Sequence, residues 1–84
     1  MYYTYILKSL SSKRYYIGHT NNLDLRLKRH NENQVTSTKN RGPWELVYFE
    51  EYETRSKAMY RERYIKSLKS RRTIEKLFLT NLNL

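Results

Sequence analysis

Between Arg14 and His30 the chain reads RYYIGHTNNLDLRLKRH, which sets two tyrosines, two histidines, four arginines or lysines and a lone glycine close together. Phenol, imidazole and guanidinium are the groups that move protons and neutralise a phosphate when they converge. On a helix following Gly18, Leu23 and Leu27 form the apolar stripe, His30 shares their face and Arg26 lies at its border. Lys28 and Arg29 point further away. An arginine at that border either holds its guanidinium rigidly at the edge of a sheet or snorkels over core surface. Periodicity by itself favours snorkelling.

Glu62 is the second pointed residue. One helical turn after Ala58 and one turn before Ile65, it sits beside the apolar stripe of a later helix. Burying an unpaired carboxylate there costs on the order of several kcal/mol, so Glu62 needs a partner. Lys66, four residues on, offers a pair worth about 0.2–0.5 kcal/mol. A divalent cation at the rim of the core is the alternative. Only eight acids are present and they form no tight cluster, which argues against a calcium cage or a two-metal centre. A single Mg²⁺ held by one carboxylate, waters and a substrate phosphate stays open.

These groups must be positioned by very little protein. The 84 residues make one domain, 1–84, which buries a lower fraction of its surface than a typical domain does. There is no cysteine, hence no disulfide and no thiolate zinc site, and two histidines alone make no structural zinc site. No apolar run approaches a membrane span, and MYYTYILKS is too short, too aromatic and too uncharged for a signal peptide. A soluble, cytoplasmic protein without a membrane partner is expected. Seventeen Lys and Arg against eight Asp and Glu give +9, which makes a polyanion the first partner to consider; a generally basic domain is the plainer reading. Nine tyrosines could stack bases, although tyrosine is also an ordinary strand residue. With only Gly18 and Gly42, no glycine loop can cradle a nucleotide, and there is no G-x-S-x-G elbow.

Residues 2–8 (YYTYILK) and 14–18 (RYYIG) read as strands joined by the polar hairpin loop SLSSK. NNLDLRLKRHNE reads as a helix with Asn21 as N-cap and Asp24 in its first turn. Residues 33–43 form a polar, basic loop ending in Gly42-Pro43. Residues 44–53, WELVYFEEYE, are apolar on both alternating faces over their first half, as a central strand would be. Thr54 caps a helix running to about Lys69, and a final helix spans about Ser70 to Leu79. The order ββαβαα predicts a small mixed α/β or α+β domain, a three-stranded sheet with flanking helices.

Tyr16-Ile17-Gly18, preceded by Tyr3-Thr4-Tyr5 on the first strand, resembles the two signature strands of the GIY-YIG nuclease superfamily. The second triplet matches letter for letter; the first departs at two positions and keeps its final tyrosine as Tyr5. RGPWELVYFEEYETRSKAMYRERYIKSLKSRR resembles the small stand-alone bacterial branch, and the nuclease domain of the excision-repair excinuclease is a more distant relative. The resemblance implies a metal-dependent endonuclease that hydrolyses DNA phosphodiester bonds, in DNA repair or recombination. It implies Glu62 as sole protein ligand of one divalent ion, Mg²⁺ or Mn²⁺, and Arg26 as the residue stabilising phosphate charge. Tyr5 and Tyr16 would lie side by side, one acting as the general base or relaying to it. His30 would assist proton transfer or hold phosphate, and His19 stands where repair members often carry lysine. Members commonly have an asparagine near the end of the domain, and Asn81 is the nearest here.

A tyrosine base near neutral pH needs its pKa lowered from about 10 by about two to three units, roughly 3–4 kcal/mol. Arg26, His19 or the ion would supply part of that. His19, Lys28, Arg29, Lys39 and Arg41 are the expected nucleic-acid contacts, with Lys8, Lys13 and Arg14 as further cations. The loop holding Thr36, Ser37, Lys39 and Arg41 leads them, because hydroxyls and cations both bind phosphate oxygens. A protein partner or a homodimer could supply targeting. Two other readings stand beside the nuclease: a nucleic-acid-binding module of the same fold with little or no catalysis, and a small interaction domain for a protein or RNA.

Overall fold

A computed structural model describes residues 1–79; Asn81 lies outside the described residues. The elements are β1 (Tyr2–Ser9), β2 (Tyr15–Thr20), α1 (Leu23–Asn31), β3 (Trp44–Tyr52), α2 (Arg55–Ser67) and α3 (Arg71–Leu79), with one 3₁₀ turn at Thr36–Thr38. This is the ββαβαα order and the α+β class that the sequence predicts. No helix among the described residues is long and apolar enough to cross a membrane.

The sheet is antiparallel in the order β2-β1-β3. The central position belongs to β1, not to β3 as its apolar run implies. Thr4, Tyr5, Ile6, Leu7 and Ser9 of β1 are buried, whereas β3 buries only Trp44 fully. The apolar run of β3 has a different cause. A bulge lets Leu46 pair with Leu7 while Tyr48 pairs with Ile6, so this edge strand feeds side chains into the layers on both sides of the sheet. Burial on both faces reports covering helices, not a central place in the sheet.

One layer is built on Ile6, Ile17, Ile65 and Ile74, with Leu68, Leu77 and Phe78 packed against them from α2 and α3. Thr4 donates to the Ala58 carbonyl at 2.7 Å and ties α2 to the central strand. The other layer joins Tyr5, Leu7 and Trp44 to Tyr16, Leu23 and Leu27. Helix α1 begins one residue later than predicted. Asn22, not Asn21, is the cap, its Oδ1 accepting from the Leu25 N–H at 3.1 Å, which leaves Asn21 beside the cleft described below. At the other end Asn31 holds the Trp44 backbone, accepting from its N–H at 2.6 Å and donating to its carbonyl at 3.1 Å. Thr54 caps α2 as predicted, accepting from the Lys57 N–H at 3.2 Å. Four of the eight acids, Glu45, Glu50, Glu51 and Glu53, lie on β3 or just beyond it. Glu50 is bound by Arg61 at 2.8 and 3.0 Å; the other three are exposed.

Candidate active site

Tyr5 of β1 stands directly opposite Gly18 of β2. A Cβ on Gly18 would lie 2.6 Å from the Tyr5 hydroxyl oxygen, 2.8 Å from its Cζ and 3.1 Å from Cε2 of Tyr16. Gly18 has no positive φ, so the glycine serves close approach, not backbone conformation. Its bare surface is the floor on which the two phenols meet, their ring centroids 6.4 Å apart.

Two groups hold the Tyr5 hydroxyl. Arg26 Nε donates to it over a long 3.4 Å, and its other neighbour is His30 Nε2 at 2.9 Å. The second ring nitrogen of His30, Nδ1, lies 2.7 Å from Thr38 Oγ1, whose hydroxyl donates to the Val35 carbonyl at 3.4 Å. Both ends of this chain are chemically fixed, since guanidinium only donates and a carbonyl only accepts. Thr38 must then accept from His30 Nδ1–H, His30 Nε2 must accept, and Tyr5 must be its donor. The buried imidazole is neutral and single in its tautomer. Burial, with the nearby Arg26 charge, lowers the His30 pKa to about 4. Because His30 is fully buried, it is connected to the surface only indirectly, through Tyr5 to Arg26.

Tyr5 departs from the lowered pKa expected of a tyrosine base. Burial pushes its phenol up to about 12, and Arg26 opposes that shift without overcoming it. Tyr16 is better placed to meet water. It is half-buried, leans on His30 at 4.9 Å and Trp44 at 6.3 Å, and its hydroxyl accepts from exposed Ser37 at 3.5 Å.

Glu62 sits across the edge of β2. His19 Nδ1 lies 2.6 Å from its Oε1, and Lys66 Nζ donates to Oε2 at 2.6 Å. Burial raises the carboxyl, but Lys66 and His19 outweigh it and hold Glu62 below the usual carboxylate range. The partner foreseen for Glu62 at Lys66 is present, and His19, forty-three residues away, joins it. The negative charge of Glu62 is felt at Tyr5. Among the described residues no group of three histidines, cysteines or acids converges. The donor set suits a hard divalent ion that keeps most of its water: a single ionised carboxylate, with half-exposed Lys66 free to swing away.

Beside His19 opens a cleft of about 270 Å³, lined by Thr20, Asn21, Asn22, Leu25, Arg26, Arg29 and Arg55. Its walls are one face of α1 and the N-terminal end of α2, and three arginines line it. The structure thus brings His19, Arg26 and Arg29 together, although Arg29 reads from the sequence as pointing away. Asn22, Leu25, Arg26 and Arg29 follow one helical face, and that face is the cleft wall. Lys28 and Lys39 are not among the residues lining this cleft, and Arg41 belongs to a different concavity.

Arg55 and Thr38 do not stand out in the sequence as site residues. Arg55 did carry a signal. The first turn of α2 has no acid and begins with a cation, against the helix dipole, and such a cation has another reason to be there. Thr38 was legible only through His30, since a buried imidazole needs a partner for each nitrogen.

A three-stranded antiparallel sheet that sets two tyrosines over a glycine, with an arginine and a glutamate from flanking helices, defines a nuclease-type domain. Residues 1–75 match the GIY-YIG catalytic domain, and the chain belongs to the GIY-YIG family. It is similar to the UPF0213 protein CPE1444 of Clostridium perfringens, with 48% identity over 69 residues covering 81% of this chain and 73% of that one. It is also similar to the UPF0213 protein YazA of Bacillus subtilis, with 37% identity covering 80% of this chain and 68% of the relative. The solution structure of the UPF0213 protein BH0048 from Bacillus halodurans matches with a TM-score of 0.56 and 34% identity, over 92% of this chain and 82% of that one.

Proposed function

We propose that the protein is a metal-dependent endonuclease that hydrolyses DNA phosphodiester bonds, acting in repair or recombination in the cytoplasm. The observation that carries this reading is the gathering of Tyr5, Tyr16 and Arg26 over Gly18, with Glu62 at the strand edge and three arginines lining the adjoining cleft. Substrate phosphate enters that cleft against Arg26, Arg29 and Arg55, and the fixed plane of Arg26 faces the charge that develops on the non-bridging oxygens. Tyr16 takes the proton of the attacking water, because it meets solvent while Tyr5 does not. Tyr5, protonated and bonded to His30, keeps Arg26 in place. Glu62, waters and substrate phosphate would hold one Mg²⁺ or Mn²⁺, which supplies charge neutralisation and stabilises the leaving oxygen when bound.

A second reading, a binding module with little catalysis, draws on one observation. Both oxygens of Glu62 are already engaged, one by His19 and the other by Lys66. Nicking of supercoiled plasmid separates the two. The nuclease reading expects cleavage with Mg²⁺ or Mn²⁺, none with chelator, and loss in Glu62→Gln with fold and DNA affinity intact. Equal activity in Glu62→Gln would remove Glu62 from the chemistry. Binding without nicking, across supercoiled, branched and single-stranded substrates, would favour the module.

A further inference from the structure

A second basic concavity lies at the opposite end of β2 from the cleft. Ser11, Ser12, Arg14, Asn40 and Arg41 line a space of about 440 Å³ between the β1–β2 hairpin tip and the loop before β3. Its walls are sewn together. Ser9 Oγ donates to the Arg41 carbonyl at 2.6 Å, Ser11 Oγ to the Gly42 carbonyl at 3.0 Å, and the Leu10 N–H to the Pro43 carbonyl at 2.9 Å. These bonds use backbone carbonyls and leave both arginine side chains uncommitted. Among the described residues no acid pairs with Arg14 or Arg41. Two guanidiniums with the Ser12 hydroxyl, which accepts from the Arg14 N–H and keeps its own proton, are donors on a braced and concave surface suited to a phosphate.

We infer that this concavity is a DNA-backbone phosphate subsite, separate from the catalytic centre, which anchors the substrate strand along the outer edge of β2. Arg14 and Gly18 are four residues apart along an extended strand, about 13 Å at 3.3 Å per residue. The phosphates of one duplex strand wind around the axis, so a straight span of that length joins phosphates about two nucleotides apart. A strand whose scissile phosphate lies over Gly18 then presents a phosphate to Arg14 and Arg41. Between the two sites run Tyr16 and Ser37, so the track has no acid on it. The location relative to the scissile bond rests on the nuclease reading; the subsite itself rests on the basic concavity.

The test is binding of a fluorescent 20-base-pair duplex, in chelator so that nothing is cut, across a salt series. Arg14→Ala/Arg41→Ala is compared with the wild type and with Arg63→Ala/Arg72→Ala, which removes the same charge from exposed helix positions. Two lost phosphate contacts lower the salt slope by about two and, referred to 1 M salt, weaken binding about thirty-fold at 0.15 M. The control pair should stay within about three-fold, with its slope unchanged. Circular dichroism checks the fold of each variant. Equal weakening in both pairs would reduce the effect to net charge and overturn the subsite, as would an unaltered slope in Arg14→Ala/Arg41→Ala or a wild type that does not bind. A wild type that binds with the expected pattern yet never nicks sinks the nuclease reading and leaves the subsite standing. One that nicks while the hairpin-tip variant keeps full affinity sinks the subsite alone.

Discussion

Acid should unfold this protein earlier than its carboxylates require, and His30 is the reason. Its pKa falls from an ordinary 6.5 to about 4 because the ring is buried and near Arg26. The folded value is depressed, so the stabilising contribution is complete above pH 6.5 and drains as pH falls toward 4, while the unfolded chain gains a proton that the folded chain refuses. For those two values the loss is about 1.4 kcal/mol at pH 5.5 and about 2.5 kcal/mol at pH 4.5. In a domain of this size that lowers Tm by about 6–11 °C and then about 10–20 °C. The assay is urea unfolding from pH 7.5 to 4.5 for the wild type and His30→Gln. The variant starts less stable, having lost its fitted ring, but its stability should fall more gently with pH. NMR gives the direct reading, because the chain has only two histidines to resolve. Parallel stability curves, or a His30 ring that titrates near 6.5, would refute the reasoning.

Three other outcomes follow from the site. Gly18→Ala should cost about 1–3 kcal/mol of stability through overpacking against Tyr5, and by displacing the phenol should slow nicking about a hundred-fold at nearly unchanged DNA affinity; wild-type rates would mean that Tyr5 need not stand where it does. Thr38→Val should cost about 1–3 kcal/mol by stranding the His30 Nδ1–H and shift the ring's ¹⁵N resonances, whereas Thr38→Ser restores both; a Val variant with unaltered ¹⁵N shifts would show the tautomer is set elsewhere. Lys66→Ala removes a cation that competes for Glu62, so Mn²⁺ should bind tighter on the order of ten-fold, the effect of one charge about 5 Å from a divalent ion in water-like surroundings. Calorimetry measures it, and weaker binding would count against Glu62 as the ligand.

Features written in one local stretch were legible in the sequence, and features that join distant stretches were not. Tyr16-Ile17-Gly18, the Leu23–Leu27 stripe, and Glu62 beside Ala58 and Ile65 each show in a window of a few residues. The hairpin and the Thr54 cap do too. The strand order was hidden because alternation in β3 records coverage by helices on both faces, which an edge strand with a bulge also satisfies. The His19–Glu62 contact was hidden because RYYIG reads as a strand that stops at Gly18, leaving His19 in a turn, whereas β2 runs on to Thr20. The raised pKa of Tyr5 could not be foreseen from the cations around it, because the size of the shift depends on burial, to which the helix after β2 contributes. Tyr5, Tyr16 and Arg26 meet over Gly18 with Glu62 at the edge of β2, and the lining of the cleft by Arg29 and Arg55 emerges only when a face of α1 and the start of α2 are seen to meet.

The crowding of acids on β3 gives the molecule a front and a back. Glu45, Glu51 and Glu53 are exposed on that side, while Arg14, Arg26, Arg29 and Arg41 line the two concavities at the ends of β2, the other edge of the sheet. A protein of net charge +9 is drawn to any polyanion, but this one is drawn asymmetrically. In the last nanometre of approach, at about the 8–10 Å range over which physiological salt leaves fields unscreened, the molecule experiences a torque as well as an attraction. On the nuclease reading proposed above, the β2 edge is the one expected to turn toward DNA before any contact forms. On that reading the field supplies orientation ahead of contact, and encounters that would meet DNA with the wrong edge are turned around instead of wasted.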